Sequence, residues 1–440
     1  MEEVKISKLV HGGQGLAELS DDRKVFVWNA LPGETVKVRV IKKKRSYAEA
    51  IAEDIVVASP ERVAPREENY LATSPWQMMT FDAENKYKAE IVRELFQQAH
   101  IDISKFDLTT VSGRAAGAET ALSAPRDMRN PLAGVSFEEW HYRNKMEYSF
   151  WGDDDGLHLA LHRRGSAGKQ IVSGSELALP AIDRAANAVL TELQKLDIRA
   201  GNLKTIVVRC SAAGEAVASL YTKTEQFPEL NLPAEVKGLR VYYSNPKSPA
   251  SVPTKLLQEQ GNVTLQDSLL GKLFTYDVDS FFQVNLPVYE LALSRIKEHL
   301  VDDPTDMYAG VGSIGLSVAR HSVRLVEIDR ATSAMARINA ADSQLKAEVI
   351  EAPTEQATQY ITCDEPVIFD PPRAGLHPKV VEACLSILPS QIIYMSCNPA
   401  THARDLALLQ ESYKIDFFEV YNFFPKTPHI ETLAVLSLKH

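Results

Sequence analysis

The sequence predicts an α/β protein: a doubly wound parallel sheet at the C-terminal end, preceded by a small β-barrel and a central α+β region. Three observations predict it. The rhythm changes along the chain, from short alternating runs before residue 59 to strand-like runs alternating with helix-like ones after about residue 266. A glycine-rich turn, Gly310-Val311-Gly312-Ser313-Ile314-Gly315, lies between a strand end and a helical run. Two apolar runs end in Pro-bearing turns, one after Asp370 and one after Cys397.

A chain of 440 residues has room for two to three domains, at roughly 100–200 residues each. No apolar run approaches the roughly 18–20 residues of a membrane span. The first residues, Met-Glu-Glu-Val-Lys-Ile-Ser-Lys, lack the basic start and apolar core of a signal peptide. The four cysteines, Cys210, Cys363, Cys384 and Cys397, are far apart with no C-x-x-C pair. That speaks against a disulfide framework and against a zinc or iron–sulfur site. A cytoplasmic protein is expected, with no membrane partner and no metal.

The net charge of −10 argues against indiscriminate nucleic-acid binding. Residues 1–50 nevertheless carry ten Lys or Arg against seven Asp or Glu. A basic head on an acidic body points to a local electrostatic footprint.

Residues 1–58 predict the barrel. The alternating runs Val4–Leu9, Val25–Trp28, Thr35–Ile41 and Tyr47–Val57 are separated by Gly-Gly-Gln-Gly, Asp-Asp and Leu-Pro-Gly-Glu turns. Ser59-Pro60 to Pro65 reads as a linker. Phe81 to Ala99 has Tyr87, Ile91 and Leu95 at helical spacing. Residues 59–265 form the central α+β region, with mixed elements over 120–265 and the helix near Phe81 free to pack on the domain that follows. Residues 266–440 form the doubly wound domain. Its strands are Leu325–Ile328, Val367–Phe369, Gln391–Met395 and Leu433–Leu438; its helices are Arg330–Ala341, Pro378–Leu388 and Thr401–Glu411.

The candidate chemistry gathers in that last domain. Gly310 and Gly312 let the backbone approach a ligand closely, and Glu327, at the end of the next strand, can accept hydrogen bonds from both ribose hydroxyls of an adenosine-type cofactor. The glycine loop alone does not separate NAD from S-adenosylmethionine. Pro371 and Pro372 fix the backbone after Asp370 and hold it at the sheet edge where ligands of such folds bind. Cys397 leaves the next strand at the same edge, placed as a nucleophile would be. A helix follows it, carrying Arg404 and Asp405, and its N-terminus is expected to lower the thiol pKa. Cys210, Cys363 and Cys384, in or beside apolar runs, read as packed and inert. Glu431, at the start of the last strand, is a candidate base. His429 reads as a hydrogen-bonded structural residue.

These pieces, in this order, resemble the RNA 5-methyluridine (uracil-5) methyltransferases. The resemblance rests on Asp-x-Tyr-x-Gly-Val-Gly at 306–312, Asp-Pro-Pro-Arg-x-Gly at 370–375, Ser-Cys-Asn-Pro-Ala-Thr-x-x-Arg-Asp at 396–405 and Phe-Pro-x-Thr-x-His-Ile-Glu at 424–431. Phe-x-Gln-x-Asn at 281–285 and Tyr-Arg-Asn-Lys at 142–145 agree. Residues 1–58 look like a TRAM domain, a small OB-like RNA-binding barrel. The resemblance implies a Rossmann-like class I methyltransferase domain using S-adenosyl-L-methionine. Cys397 would add to C6 of a uracil and Glu431 would remove the C5 proton. Gln283, Tyr308, Glu327 and Asp370 would hold the cofactor, with Gly310 and Gly312 shaping its loop. Lys42, Lys43, Lys44 and Arg45 of the barrel would contact RNA phosphates, as would Arg143, Lys145, Arg163 and Arg164 of the central region.

Many members of the family carry cysteines before the helix near Phe81 and bind an iron–sulfur cluster. Tyr70 to Gln77 has none, so no cluster is expected. Ala309 stands where relatives often have Cys, and Ser313 where some have Asn. The resemblance implies a monomeric RNA methyltransferase, with 23S ribosomal RNA favoured by the barrel and tRNA the alternative. Two other readings stay open: an NAD-dependent oxidoreductase, which leaves Asp370 and Cys397 unexplained, and a non-catalytic RNA-binding protein, against which the presence of both Cys397 and Glu431 speaks.

Overall fold

The computed structural model describes residues 1–112, 139–166 and 168–439; of the stretch read as mixed, residues 120–138 and 167 lie outside the described residues. Six strands build the N-terminal sheet: β1 (Glu2–Lys5), β2 (Lys8–Leu9), β3 (Gly15–Glu18), β4 (Lys24–Trp28), β5 (Thr35–Lys43) and β6 (Tyr47–Val57). Their order is β1-β5-β6-β4-β3-β2. Val25, Val27, Val36, Val38, Ala48 and Ala50 alternate inward to fill the core. The run Val4–Leu9 splits in two, because at Ile6 the chain bonds Glu34 O and one residue later turns to Leu16 O. That switch curls the two ends of the sheet together. Gly15–Glu18 is a strand that its own composition does not announce; pairing with β4 holds it.

The linker is tied to the barrel by Glu34, which is fully buried and accepts from Arg62 at 2.6 Å and from the Leu31 and Ser59 amides. A helical turn, α1 (Tyr70–Thr73), precedes a polar knot. In that knot Gln77 accepts from the Arg66 and Glu67 amides and donates to Ser74. Trp76 is buried and donates to Gly13 O at 3.0 Å, joining this segment to the barrel. Then comes α2 (Phe81–Gln98), capped by Thr80, which accepts from the Ala83 amide. Its apolar stripe, Tyr87, Ile91, Val92 and Phe96, packs into the core of the C-terminal domain with Ala403, Leu406 and Phe418.

The central sheet consists of β7 (Lys145–Asp153), β8 (Gly156–His162), β9 (Lys169–Ile171), β10 (Leu203–Cys210), β11 (Ala216–Thr222), β12 (Gly238–Tyr243) and β13 (Lys255–Gly261), ordered β13-β12-β11-β10-β7-β8-β9. Helix α3 (Pro180–Lys195) buries Ile182, Ala185, Val189 and Leu193 against it.

The hairpin β14 (Thr264–Leu269) and β15 (Lys272–Asp277) joins the core of the last domain, followed by α4 (Leu286–His299). Its large sheet holds β16 (Thr305–Asp306), β17 (Ser322–Glu327), β18 (Lys346–Glu351), β19 (Pro366–Phe369), β20 (Gln391–Ser396), β21 (Tyr413–Tyr421) and β22 (Glu431–Leu438). The order is β18-β17-β16-β19-β20-β22-β21, so the direction of winding reverses beside β16. The helices between are α5 (Ser313–Val318), α6 (Arg330–Asp342), α7 (Pro378–Ile387) and α8 (Pro399–Leu409). One expectation needs correcting: the sheet is not wholly parallel. β22 runs antiparallel to both β20 and β21. Only residues 422–430 join β21 to β22, and a parallel crossover needs about a dozen or more.

Candidate active site

The cofactor cleft grows from the point where β16 ends. Gly312 carries a φ of +86° at the cap of α5, a conformation that L side chains rarely adopt. A Cβ added at Gly310 would meet nothing within 4 Å among the described residues, which leaves open space against this backbone. Glu327 closes β17, and its carboxylate is aimed by two amides: Oε2 accepts from Gly310 at 2.9 Å and Oε1 from Asp329 at 2.7 Å. Tyr308 is half-buried, edge-on to Phe369. A cavity of about 1020 Å³ opens beside them, lined by Tyr308, Glu327, Ile328, Thr354, Pro372 and Leu376 among others. Gln283, Gly310, Gly312 and Asp370 lie outside its lining. Gln283 is buried, its backbone oxygen accepting from Asn144. Asp306 is fully buried beneath the glycine loop: Oδ2 accepts from the Gly315 amide at 2.9 Å while Oδ1 has no partner. Burial pushes its carboxyl up to about 7.

Strand register assembles the reactive edge. Phe369 pairs with Tyr394, and Ser396 pairs with Thr432. Asp370 and Cys397 therefore leave their parallel strands at one edge, and Glu431 enters the antiparallel strand there, opposite Cys397. The turns are stitched together. Asn398 caps α8 through the Ala400 amide and donates to Arg373 O at 2.9 Å. Thr401 donates to the same oxygen, and Arg404 to Ala374 O. Asp405, buried, accepts from the Leu376 amide, the Tyr394 hydroxyl and Arg404. A Cβ at Gly375 would sit 2.5 Å from Asp405 Oδ2, which leaves room for glycine alone.

The electrostatics correct the expected activation of Cys397. Its thiol is pushed up to about 12, by burial first, then by Glu431 and Asp370, with Arg373 opposing. Helix α8 begins only at Pro399, with Asn398 at its cap; burial and two carboxylates outweigh it. Burial and Asp306 push Asp370 up to about 7. Glu431 is buried with no partner for Oε2, and burial and Asp370 raise it well above the carboxylate range. Three groups that favour their neutral forms thus share one edge.

His429 lies 3.3 Å from an Arg373 nitrogen and edge-on to Phe424. Burial, then Arg373, Lys88, Arg143 and Arg164, push it down to about 3, so it is neutral at pH 7. Of the phosphate-contact candidates, Arg143 and Arg164 thus act on the same imidazole as Arg373. Arg164 also stacks 3.9 Å over Trp28 and donates to Leu71 O. The others stand apart. Lys42 pairs with Glu49 at 2.9 Å, and Lys43, Lys44 and Arg45 are exposed at the β5–β6 turn. Arg163 is exposed. Lys145 lines a polar cavity of about 600 Å³ on the central sheet with Glu147, Tyr221 and Asp279, where burial pulls its amine down to about 8.

Cys210 and Cys384 are buried as expected, with thiols raised to about 11 and about 12. Cys363 is exposed, a correction: it sits in the turn before β19, outside the apolar run it borders. Among the described residues no group of three or more His, Cys, Asp or Glu is placed to share a metal ion. No helix among them is long and apolar enough to cross a membrane. Sequence reasoning missed Asp306, Arg373, Glu84 and Lys88 as site residues. The first two stood inside the motifs; nothing local marks the last two.

The family model for tRNA (uracil-5-)-methyltransferases matches residues 132–439. The chain belongs to this family. The methyltransferase also carries a TRAM domain, matched over residues 1–52, which is the six-stranded barrel. A Lactobacillus johnsonii protein described as an uncharacterized RNA methyltransferase is 31% identical, with 99% of this chain and 98% of that protein covered. A Thermotoga maritima protein of the same description is 26% identical, with 99% of each chain covered. The fold is shared with Pyrococcus abyssi tRNA (uracil-54, C5)-methyltransferase, solved with S-adenosyl-L-homocysteine; the TM-score is 0.72 at 23% identity, covering 99% of this chain and 100% of that one. Family membership makes the protein an RNA methyltransferase of the uracil-5 class and removes the oxidoreductase reading of the glycine loop.

Proposed function

We propose that the enzyme methylates C5 of a specific uridine in RNA, with S-adenosyl-L-methionine as donor, through a covalent bond between Cys397 and C6 of the base. One observation carries the reading: Cys397 and Glu431 stand opposite each other across the Ser396–Thr432 pair, beside Asp370. C5 of uracil is a poor nucleophile. Sulfur addition at C6 makes C5 enolate-like, which is what covalent catalysis can contribute here. The thiol proton leaves to Asp370 as the S–C6 bond forms. C5 then bonds the methyl carbon as that carbon's bond to the donor sulfur breaks. Glu431, still ionised, takes the proton from C5, the C5=C6 bond re-forms and Cys397 departs as thiolate.

The residues fit the cofactor. Glu327 is held by two amides with lone pairs free for ribose hydroxyls, Gly310 borders open space, and Asp306 Oδ1 is a buried polar atom without a partner. Gln283, Tyr308, Gly310, Gly312, Glu327 and Asp370 would hold it; when bound it supplies an electrophilic methyl group. The Pyrococcus neighbour's bound S-adenosyl-L-homocysteine supports this assignment.

A uridine within structured RNA must leave its stack to reach Cys397. Arg143, Arg164 and Arg373 would take the adjoining phosphates, and Lys43, Lys44 and Arg45 more distant ones. We assign 23S ribosomal RNA as the substrate on the strength of the basic barrel head; the Pyrococcus neighbour, a tRNA methyltransferase, favours tRNA instead. Mapping 5-methyluridine in both RNAs from cells lacking the protein decides between them.

The chemistry is tested with RNA containing 5-fluorouridine. Wild-type enzyme should form an adduct stable to denaturing gels, because fluorine cannot leave as a proton does, and Cys397→Ala should form none. Methylation that survives Cys397→Ala would overturn the reading.

A further inference from the structure

Glu431 has a neighbour that no motif announces. The first turns of α2 carry Glu84 and Lys88, both fully buried and 2.9 Å apart. Two charges taken from water are costly unless their remaining hydrogen-bonding capacity is used. Here nearly all of it is used on one segment. Glu84 accepts from the Lys426 amide at 2.9 and 3.0 Å and from Asn422 Nδ2 at 2.8 Å. Lys88 donates to Asn422 Oδ1 and to Phe424 O at 3.2 Å. Residues 422–426 are the turn that carries β21 towards Glu431.

The groups facing Glu431 come from four elements. Asp370 and Arg373 lie on the turn after β19, Cys397 at the end of β20, Tyr289 on α4 and Lys88 on α2. Only Arg373 and Lys88 among these are cations that favour the carboxylate. Arg373 is exposed, where water screens it; Lys88 is buried, where a charge acts at lower effective dielectric.

We propose that the Glu84–Lys88 pair positions the general base: its hydrogen bonds hold the 422–426 turn, and Lys88 supplies the buried positive charge against which Glu431 works. The proposal rests on the reading of Glu431 as the base. In that step Glu431 takes the C5 proton, the C–H electrons become the C5=C6 bond, and the C6–S bond breaks to release Cys397 as thiolate. The carboxylate must be ionised beforehand, which is where a nearby cation acts. Lys88 touches no reacting atom; it is a positioning residue.

Two variants separate charge from scaffolding, because both break the same ion pair. Lys88→Met removes the cation and leaves Glu84; Glu84→Gln made in a Lys88→Arg background removes the counter-charge and leaves a cation, because burial pulls an unpaired Lys88 towards its neutral form while a guanidinium stays charged. The readout is tritium release by full-length enzyme, with donor, from bulk [5-³H]uridine-labelled RNA of cells lacking the enzyme, followed against pH. The acid limb reports the base. Loss of a nearby cation raises a carboxylate pKa, so Lys88→Met should move that limb up by about one pH unit. Lys88→Arg should restore the wild-type limb, and Glu84→Gln in that background should move it down. A scaffold without electrostatic action predicts lost activity with the limb unmoved, or moved the same way in both variants; either result overturns the proposal. If Lys88→Met does not fold, the double variant Glu84→Gln/Lys88→Met, which leaves no unpaired ion, replaces it. Its limb should lie above that of Glu84→Gln/Lys88→Arg, and coincidence of the two overturns the proposal. Glu431→Gln is the control. If it fails to accumulate the Cys397 adduct, the base reading itself fails; if it does accumulate it while the limbs stay fixed, only the role of Lys88 falls.

Discussion

Cys397 sits on a turn held by its own neighbourhood, while Glu431 follows a turn held from far away. The Cys397 turn is tied to the Asp370 turn by Asn398, Thr401 and Arg404, through backbone oxygens 25 to 30 residues distant. These are solvent-accessible bonds, each worth about 0.5–1.5 kcal/mol net. The Glu431 side is tied by a buried ion pair on α2, with Asn422 bonding Glu84 across 338 residues. Tyr142 adds a bond to Pro425 O at 3.0 Å, and the Trp76 amide one to Lys426 O at 3.1 Å. Many weak local ties yield gradually. One buried charged clamp fails all at once, because losing a partner strands an ion away from water. The Cys397 loop is therefore the robust one and the Glu431 loop the brittle one.

The largest effect isolates the two groups themselves. Glu431→Gln should lower turnover by about 10²- to 10⁴-fold while leaving addition intact, so a Cys397–RNA adduct accumulates on denaturing gels. Cys397→Ala should give neither adduct nor product. Next comes the clamp. Glu84→Ala should destabilise the protein by about 3–5 kcal/mol in urea unfolding, because it leaves Lys88 buried and unpaired. A loss below about 1 kcal/mol would mean that the two turns do not differ in the way their contacts imply.

What was legible before the structure follows the same division. Buried parallel strands are short apolar runs, so Val367–Phe369 and Gln391–Met395 could be read directly, and each hands a candidate residue to the sheet edge. That Cys397, Asp370 and Glu431 meet at one edge was legible because each stands where an apolar run meets a turn. β3 was not, because its residues have no strand preference apart from their pairing. The antiparallel placement of β22 followed from the length of the β21–β22 connection, which becomes informative only once both strands are located. Lys88 was illegible for a physical reason: a Lys four residues after a Glu on a helix normally marks a solvated face, and only tertiary packing shows that this face is buried. The thiol of Cys397 was misjudged on similar grounds, since the helix start is visible in sequence and the facing carboxylates are not.

Smaller still is the loss of a single tie on the Cys397 side. Asn398→Ala removes the α8 cap and the bond to Arg373 O, and should cost about 1 kcal/mol, read by the same urea unfolding. Adduct formation with 5-fluorouridine RNA should survive, since Thr401 still bonds Arg373 O.

The mildest probe tests the electrostatics of Cys397 without RNA. A thiol pushed up to about 12 is almost wholly neutral at pH 7, and the thiolate is the reactive form. Alkylation of the free enzyme at Cys397 by iodoacetamide, followed by peptide mass spectrometry, should be slow and should rise about tenfold per pH unit from pH 7 upward. Exposed Cys363 supplies an internal reference in the same digest. Asp370→Asn removes one of the two carboxylates that raise the thiol, so its alkylation at a fixed pH should be faster by a few-fold. Had the start of α8 governed the thiol, the profile would level off near neutrality and Asp370→Asn would change little. The two outcomes differ in slope as well as rate, so a change in accessibility at Cys397 cannot imitate the expected one: accessibility scales the whole profile, whereas a shifted thiol moves the pH at which it bends.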